Sequence, residues 1–228
     1  TWSSDTGRGQ DARYARLQPA LMDGTLYTVD AKGLVSARNA KTGKRLWQNK
    51  LKAAIGSGVG ISGDKGLVGT LDGRIIAFAL TDGQYLWEAR TSSEVLATPQ
   101  GNGTVVITQA IDGRVFAFDS TDGRPLWNYD HPVPVLSLRS NAAPLISGNS
   151  ALVAFDNGQI LNFDADTGQL RWAARVDGGF FDGGVFHRTV KPDNQPNNKV
   201  KIEVIQGGVN PARESEQRPP IALERTSV

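Results

Sequence analysis

From about residue 20 to 176 the chain alternates short apolar runs with polar turns that carry glycine. RIIAFA (74–79), RVFAFD (114–119) and QILNFD (159–164) alternate or are wholly apolar, which suits half-buried or buried strands. GLVGT (66–70), TVVIT (104–108) and ALVAF (151–155) supply a second strand upstream of each. Between the two runs lie DAKG, LDGR, IDGR and DNGQ, the Asp/Asn/Gly signals of tight hairpins that need positive φ. No stretch between 20 and 176 has a helical period.

The pattern repeats. Tryptophan stands at 2, 47, 87, 127 and 172, with gaps of 45, 40, 40 and 45 residues. The segments ARNAKTGKRLW, AFALTDGQYLW, AFDSTDGRPLW and NFDADTGQLRW end on Trp47, Trp87, Trp127 and Trp172. Gly43, Gly83, Gly123 and Gly168 each precede their Trp by four residues, and Gly33, Gly73, Gly113 and Gly158 lie ten residues further upstream. A period near 40 with several short strands per unit reads as the four-stranded blade of a β-propeller. A β-sandwich has no reason to repeat its sequence at that interval. The expected fold is all-β: a partial propeller of four blades, with each Trp packed between neighbouring blades over a turn glycine. Trp2 then belongs to an earlier blade or to ring closure.

Composition narrows the chemistry. The 228 residues include no Cys, which excludes a disulfide framework, a thiolate metal site and a cysteine nucleophile. The 25 basic and 23 acidic residues leave a net charge of +2, with no signature of nucleic-acid binding. No acidic cluster suited to a metal stands out; Asp156, Asp164 and Asp166 read as turn residues. No cofactor is expected.

The D-x-x-T/D-G-x-x-x-W unit resembles the pyrroloquinoline-quinone-type propeller repeat, which serves both quinone-dependent dehydrogenases and proteins without quinone. WSSDTGRGQDARYARLQPAL (2–21), SSEVLATP (92–99) and VPVLSLRSNAAP (133–144) resemble the BamB family of outer-membrane protein assembly factors. The last of these lies in the interval where the glycine spacing grows from 40 to 45 residues (Gly113 to Gly158), so five residues enter a connection while the blade frame is kept. Leu136 and Leu138 share a face if extended, and Arg139 adds a planar charged fork. The resemblance implies that Leu136, Leu138 and Arg139 contact a BamA-type insertase, with unfolded outer-membrane proteins as further partners. It also implies a non-enzymatic scaffold in the periplasm, at the inner face of the outer membrane, in a family anchored through an N-terminal lipidated Cys that this chain does not contain.

The pattern stops after Trp172. Residues 177–228 hold no Trp and 5 of the 11 Pro. GFFDGGVFHRTV and VIQGG resemble part of a cyclophilin-type peptidyl-prolyl isomerase. By that resemblance Arg188 would bond the prolyl nitrogen as the amide twists, without a nucleophile, and Gln206 would position substrate. The sequence thus reads as residues 1–176 of propeller joined to a cyclophilin-like fragment at 177–228, as a fragment or chimera would be. Glu203 and Val204 stand where a cyclophilin has Phe-Met, and the later half of its barrel is missing. Isomerase activity is therefore not expected, and a quinone-dependent dehydrogenase is the weakest reading.

Overall fold

The computed structural model describes residues 2, 3, 7, 17–131, 142–175 and 203–206. Among these there is no helix. Each repeat is an up-and-down antiparallel sheet. Blade 1 is β1 (Ala20–Met22), β2 (Thr25–Val29), β3 (Leu34–Asn39) and β4 (Arg45–Lys50). Blade 2 is β5 (Gly60–Ser62), β6 (Lys65–Gly69), β7 (Arg74–Ala79) and β8 (Tyr85–Arg90). Blade 3 is β9 (Gln100–Gly101), β10 (Val105–Gln109), β11 (Val115–Asp119) and β12 (Pro125–Tyr129). Blade 4 is β13 (Leu145–Ser147), β14 (Ser150–Ala154), β15 (Gln159–Asp164) and β16 (Leu170–Arg175). A fifth strand, β17 (Glu203–Gln206), pairs antiparallel with the outer edge of β16.

The core is divided among the seams between blades. Val29, Val35 and Ala37 of blade 1 pack with Val68, Ile76 and Phe78 of blade 2. Leu67, Ile75 and Ala77 of blade 2 pack with Val106 and Phe118 of blade 3. Val105, Ile107 and Ala117 of blade 3 pack with Val153, Leu161 and Phe163 of blade 4. Adjacent residues such as Leu67 and Val68 thus serve opposite seams. That is why the middle strands read as unbroken apolar runs, since both faces are covered.

Trp47, Trp87 and Trp127 join the seams by a uniform rule. Each lies on the outer strand of its blade and reaches forward to the next. Trp47 Nε1 donates to Leu80 O at 2.9 Å, Trp87 to Ser120 O at 3.0 Å and Trp127 to Ala165 O at 2.8 Å. Trp2 does the same to Ala40 O at 3.0 Å, which gives it the place of an earlier blade's outer-strand Trp. The indole lies flat on the turn glycine of the next unit. A Cβ at Gly43 would stand 2.5 Å from Trp2, at Gly83 2.5 Å from Trp47, at Gly123 2.5 Å from Trp87 and at Gly168 2.6 Å from Trp127. These glycines also have φ between 72° and 77°, so space and backbone both demand glycine there.

In blades 1, 3 and 4 these turns are set by a side chain at the end of the third strand, Asn39, Asp119 or Asp164. Asn39 Oδ1 accepts from Lys41 N at 3.0 Å and Thr42 N at 2.9 Å, and Asp164 Oδ1 accepts from Thr167 N at 3.0 Å. This local capping explains the Asn/Asp preference. Asp164 is therefore a turn residue, as its sequence context suggests. The Thr167 backbone N–H first, then the Arg171 guanidinium at 2.7 Å, lowers its carboxyl from 3.8 to about 2. A depressed folded-state pKa adds stability that is present above the unfolded value and is lost as pH falls through the folded one. Asn39 shows that an amide keeps the turn. An Asp164→Asn variant is accordingly expected to lose stability less steeply than wild type between about pH 4 and 2. Urea midpoints measured across that window check this; equal slopes would refute it.

Candidate functional site

Two of the three connections between blades are described in full, and they share one design. In the first, Ile55 is fully buried, Ile55 N donates to Ala31 O at 3.0 Å, and Leu71 N donates to Ala54 O at 3.0 Å. In the second, Val95 is fully buried, Val95 N donates to Thr70 O at 3.0 Å, and Ile111 N donates to Glu94 O at 2.9 Å. Each connection thus inserts one apolar plug at a seam and is bonded through its backbone to the hairpin turns of both the preceding and the following blade.

The third connection departs from this. From the blade's Trp to the first residue of the following SG, NG or SG turn is 15 residues to Ser62, 15 to Asn102 and 20 to Ser147. VLATP (95–99) matches VL…AAP at 135–136 and 142–144, so the five additional residues are 137–141. In the sequence alignment Leu136 falls at the place of Leu96, while Leu138 and Arg139 fall among the additional residues. Residues 132–141, with all three of these, lie outside the described residues.

What is described is the ground on either side. His131, where the connection leaves blade 3, stacks on Phe155 of blade 4 with ring centroids 4.0 Å apart. Its Nε2 lies 3.3 Å from Asn157 Nδ2. Burial pushes the imidazole below its ordinary pKa, with Asp156 opposing. Arg114 Nε meets Asp130 Oδ1 at 3.0 Å beside it. Gln109, on the blade 3 strand at this seam, is 1% exposed, and its Oε1 has no hydrogen-bond partner among the described residues. Val29 and Gly69 occupy the equivalent positions, so a buried amide is peculiar to the unit with the longer connection. The sequence signal was present in VVITQ, where a polar residue ends an apolar strand, but its burial depends on the neighbouring blade. Beyond the connection, Leu145 is 69% exposed.

The other expected site residues separate. Arg188 lies outside the described residues. Gln206 is on β17, its Cα opposite Trp172, so the strand carrying it extends a propeller sheet. Among the described residues no group of three or more His, Cys, Asp or Glu could hold a metal.

Comparison with known proteins fixes the family. The profile described as outer membrane protein assembly factor BamB matches residues 2–193. It runs past residue 176, and a BamB of Legionella pneumophila is 44% identical over 213 residues, covering 92% of this chain and 55% of its own. The BamB of Pseudomonas aeruginosa is 51% identical over 175 residues, covering 77% of this chain and 46% of its own. The crystal structure of BamB from Moraxella catarrhalis superposes with a TM-score of 0.63 at 28% identity, over 72% of this chain and 49% of that one. The chain spans about half the length of the relatives it matches. These matches lend no support to the cyclophilin-like reading of 177–228 or to roles for Arg188 and Gln206. With the four tryptophan-linked blades and the profile match over residues 2–193, the chain belongs to the BamB family of outer membrane protein assembly factors.

Proposed function

We propose that the chain acts as a non-enzymatic scaffold in outer-membrane protein assembly, in the periplasm, docking a BamA-type insertase through the connection between blades 3 and 4. The observation that carries this is the family match, at up to 51% identity. The five-residue lengthening supports its location: it falls on one connection and leaves the blade frame intact. Loops on a rigid β scaffold can vary without disturbing the core, which suits them to recognition. Leu138 and Arg139 are the principal contacts, since they belong to the additional residues. Leu136, aligned with Leu96 in the sequence, is the third contact. Neither prolyl isomerisation nor quinone chemistry is favoured by the family.

The test is binding of the chain to the periplasmic domains of a BamA-type insertase. A Leu138→Ala/Arg139→Glu variant is expected to weaken it by about thirtyfold or more, as loss of a central hot spot does. The thermal midpoint should stay at the wild-type value. Unchanged affinity in that variant would overturn the assignment.

A further inference from the structure

The seam between blades 1 and 2 opens into a cleft of about 440 Å³. Blades diverge toward the rim, so each seam needs bulk there. At the seam of blades 3 and 4, Tyr129 provides it, its ring 4.9 Å from Phe163. At the seam of blades 2 and 3, Phe116 stacks on Phe118 with centroids 6.2 Å apart. The repeat puts Asn49 in the place of Tyr129 and Ile76 in the place of Phe116. Asn49 is turned to the backbone, donating to Gly83 O at 3.0 Å. The cleft is what the smaller pair leaves unfilled.

Its walls have a definite character. One is the outer strand of blade 1 and its continuation, with Asn49, Lys50 and Lys52; the other is blade 2, with Arg74, Tyr85 and Glu88. Arg74 is neutralised by Glu88 at 2.6 Å and Asp72 at 2.8 Å. Lys50 and Lys52 are exposed and form no ion pair with a described residue, so the cleft has uncompensated positive charge along one side. Tyr85, 54% exposed, gives the opposite wall an aromatic surface.

β4 ends its sheet, as does its repeat equivalent β16 before β17 is added. On β16 the added strand runs antiparallel, with Trp172 opposite Gln206 and Arg175 opposite Glu203. The repeat superposes Trp47–Lys50 on Trp172–Arg175. A strand added to β4 in that register sets an acidic residue opposite Lys50 on the outer face and an apolar one opposite Asn49, on the face turned to the cleft. Main-chain pairing at a sheet edge supplies affinity and the adjoining pocket supplies selectivity.

We propose that the β4 edge and its cleft bind an extended polypeptide segment of alternating apolar and acidic residues as a fifth strand of blade 1. The surface belongs to blades 1 and 2 and does not depend on the insertase assignment.

The test uses the full chain and a fluorescein-labelled peptide with the sequence of residues 200–208, VKIEVIQGG, followed by anisotropy. Wild type is expected to bind saturably. Asn49→Tyr, which fills the cleft as Tyr129 does, and Lys50→Glu/Lys52→Glu should each weaken binding at least tenfold. A peptide with Lys in place of its Glu should bind wild type poorly and regain affinity for Lys50→Glu/Lys52→Glu. Circular dichroism melts should coincide for all forms, which separates lost binding from lost fold. No saturable binding to wild type, or equal binding by all variants, overturns the proposal. So does a dimer in sedimentation that Asn49→Tyr dissolves, because the edge would then pair with a second copy.

Discussion

A Trp87→Ala variant should lose about 3–5 kcal/mol of stability, the upper range for truncating a buried aromatic residue. Trp87 is 6% exposed and packs in the core between blades 2 and 3. Truncation removes three things together. The seam loses its largest side chain, Ser120 O loses its donor at 3.0 Å, and the turn at Gly123 loses the surface it rests on. For a chain of this size the loss corresponds to a fall in melting temperature of roughly 6–20 °C. Trp2→Ala is the built-in comparison, because Trp2 makes the same bond to Ala40 O while 38% exposed. Urea titration of both variants decides the matter: equal midpoints would mean that burial of the indole at the seam is not what holds the blades.

Gly60→Ala is expected to cost about 3 kcal/mol by overpacking, although it adds one methyl group at an ordinary backbone angle. Its Cβ would collide with the carbonyl oxygen of Pro99, a backbone atom of the next unit that cannot turn aside. A Cβ at Gly56 would stand 2.8 Å from Val95 O, and one at Gly58 2.6 Å from Gln18 O. The inner edge of blade 2 is thus wedged between two neighbouring backbones. Gly24→Ala separates the two kinds of strain. Gly24 has φ of 71° but open space about it, so its substitution should cost about 1–2 kcal/mol from backbone conformation alone. A Gly60→Ala loss no larger than that of Gly24→Ala would refute the close-packing account.

These two positions also mark what the sequence could and could not reveal. Trp87 and Gly123 repeat at a fixed spacing, so their partnership is legible as a ruler even though they lie 36 residues apart. Gly56, Gly58 and Gly60 form a GSGVG run that reads locally as a flexible linker. Their meaning lies in backbone atoms of blades 1 and 3, which no local pattern encodes. The candidate site divides in the same way. The length of the third connection was legible from glycine spacing, and with it Leu138 and Arg139. Gln109 and His131 were not, because a polar residue at a strand end becomes notable only once the facing blade is in place. The cleft was hidden for a further reason: it comes from Asn49 being smaller than Tyr129, and the size of a gap appears only when the seams are set side by side. The tail misled through short motifs. VIQGG and FHR fit a cyclophilin, but a few residues constrain a fold far less than four repeats of a 40-residue unit.

The forward reach of Trp47, Trp87 and Trp127 has a consequence in time. Trp47 bonds residue 80, Trp87 residue 120 and Trp127 residue 165, always toward the C-terminus. A blade can pair all of its own strands and still hold a bare indole until the hairpin 33–38 residues later has formed. At synthesis rates of about 5–20 residues per second, that wait is roughly 2–8 s per unit. The growing chain thus carries a single sticky aromatic at its advancing front, handed from one blade to the next, and each blade becomes rigid only when its successor arrives.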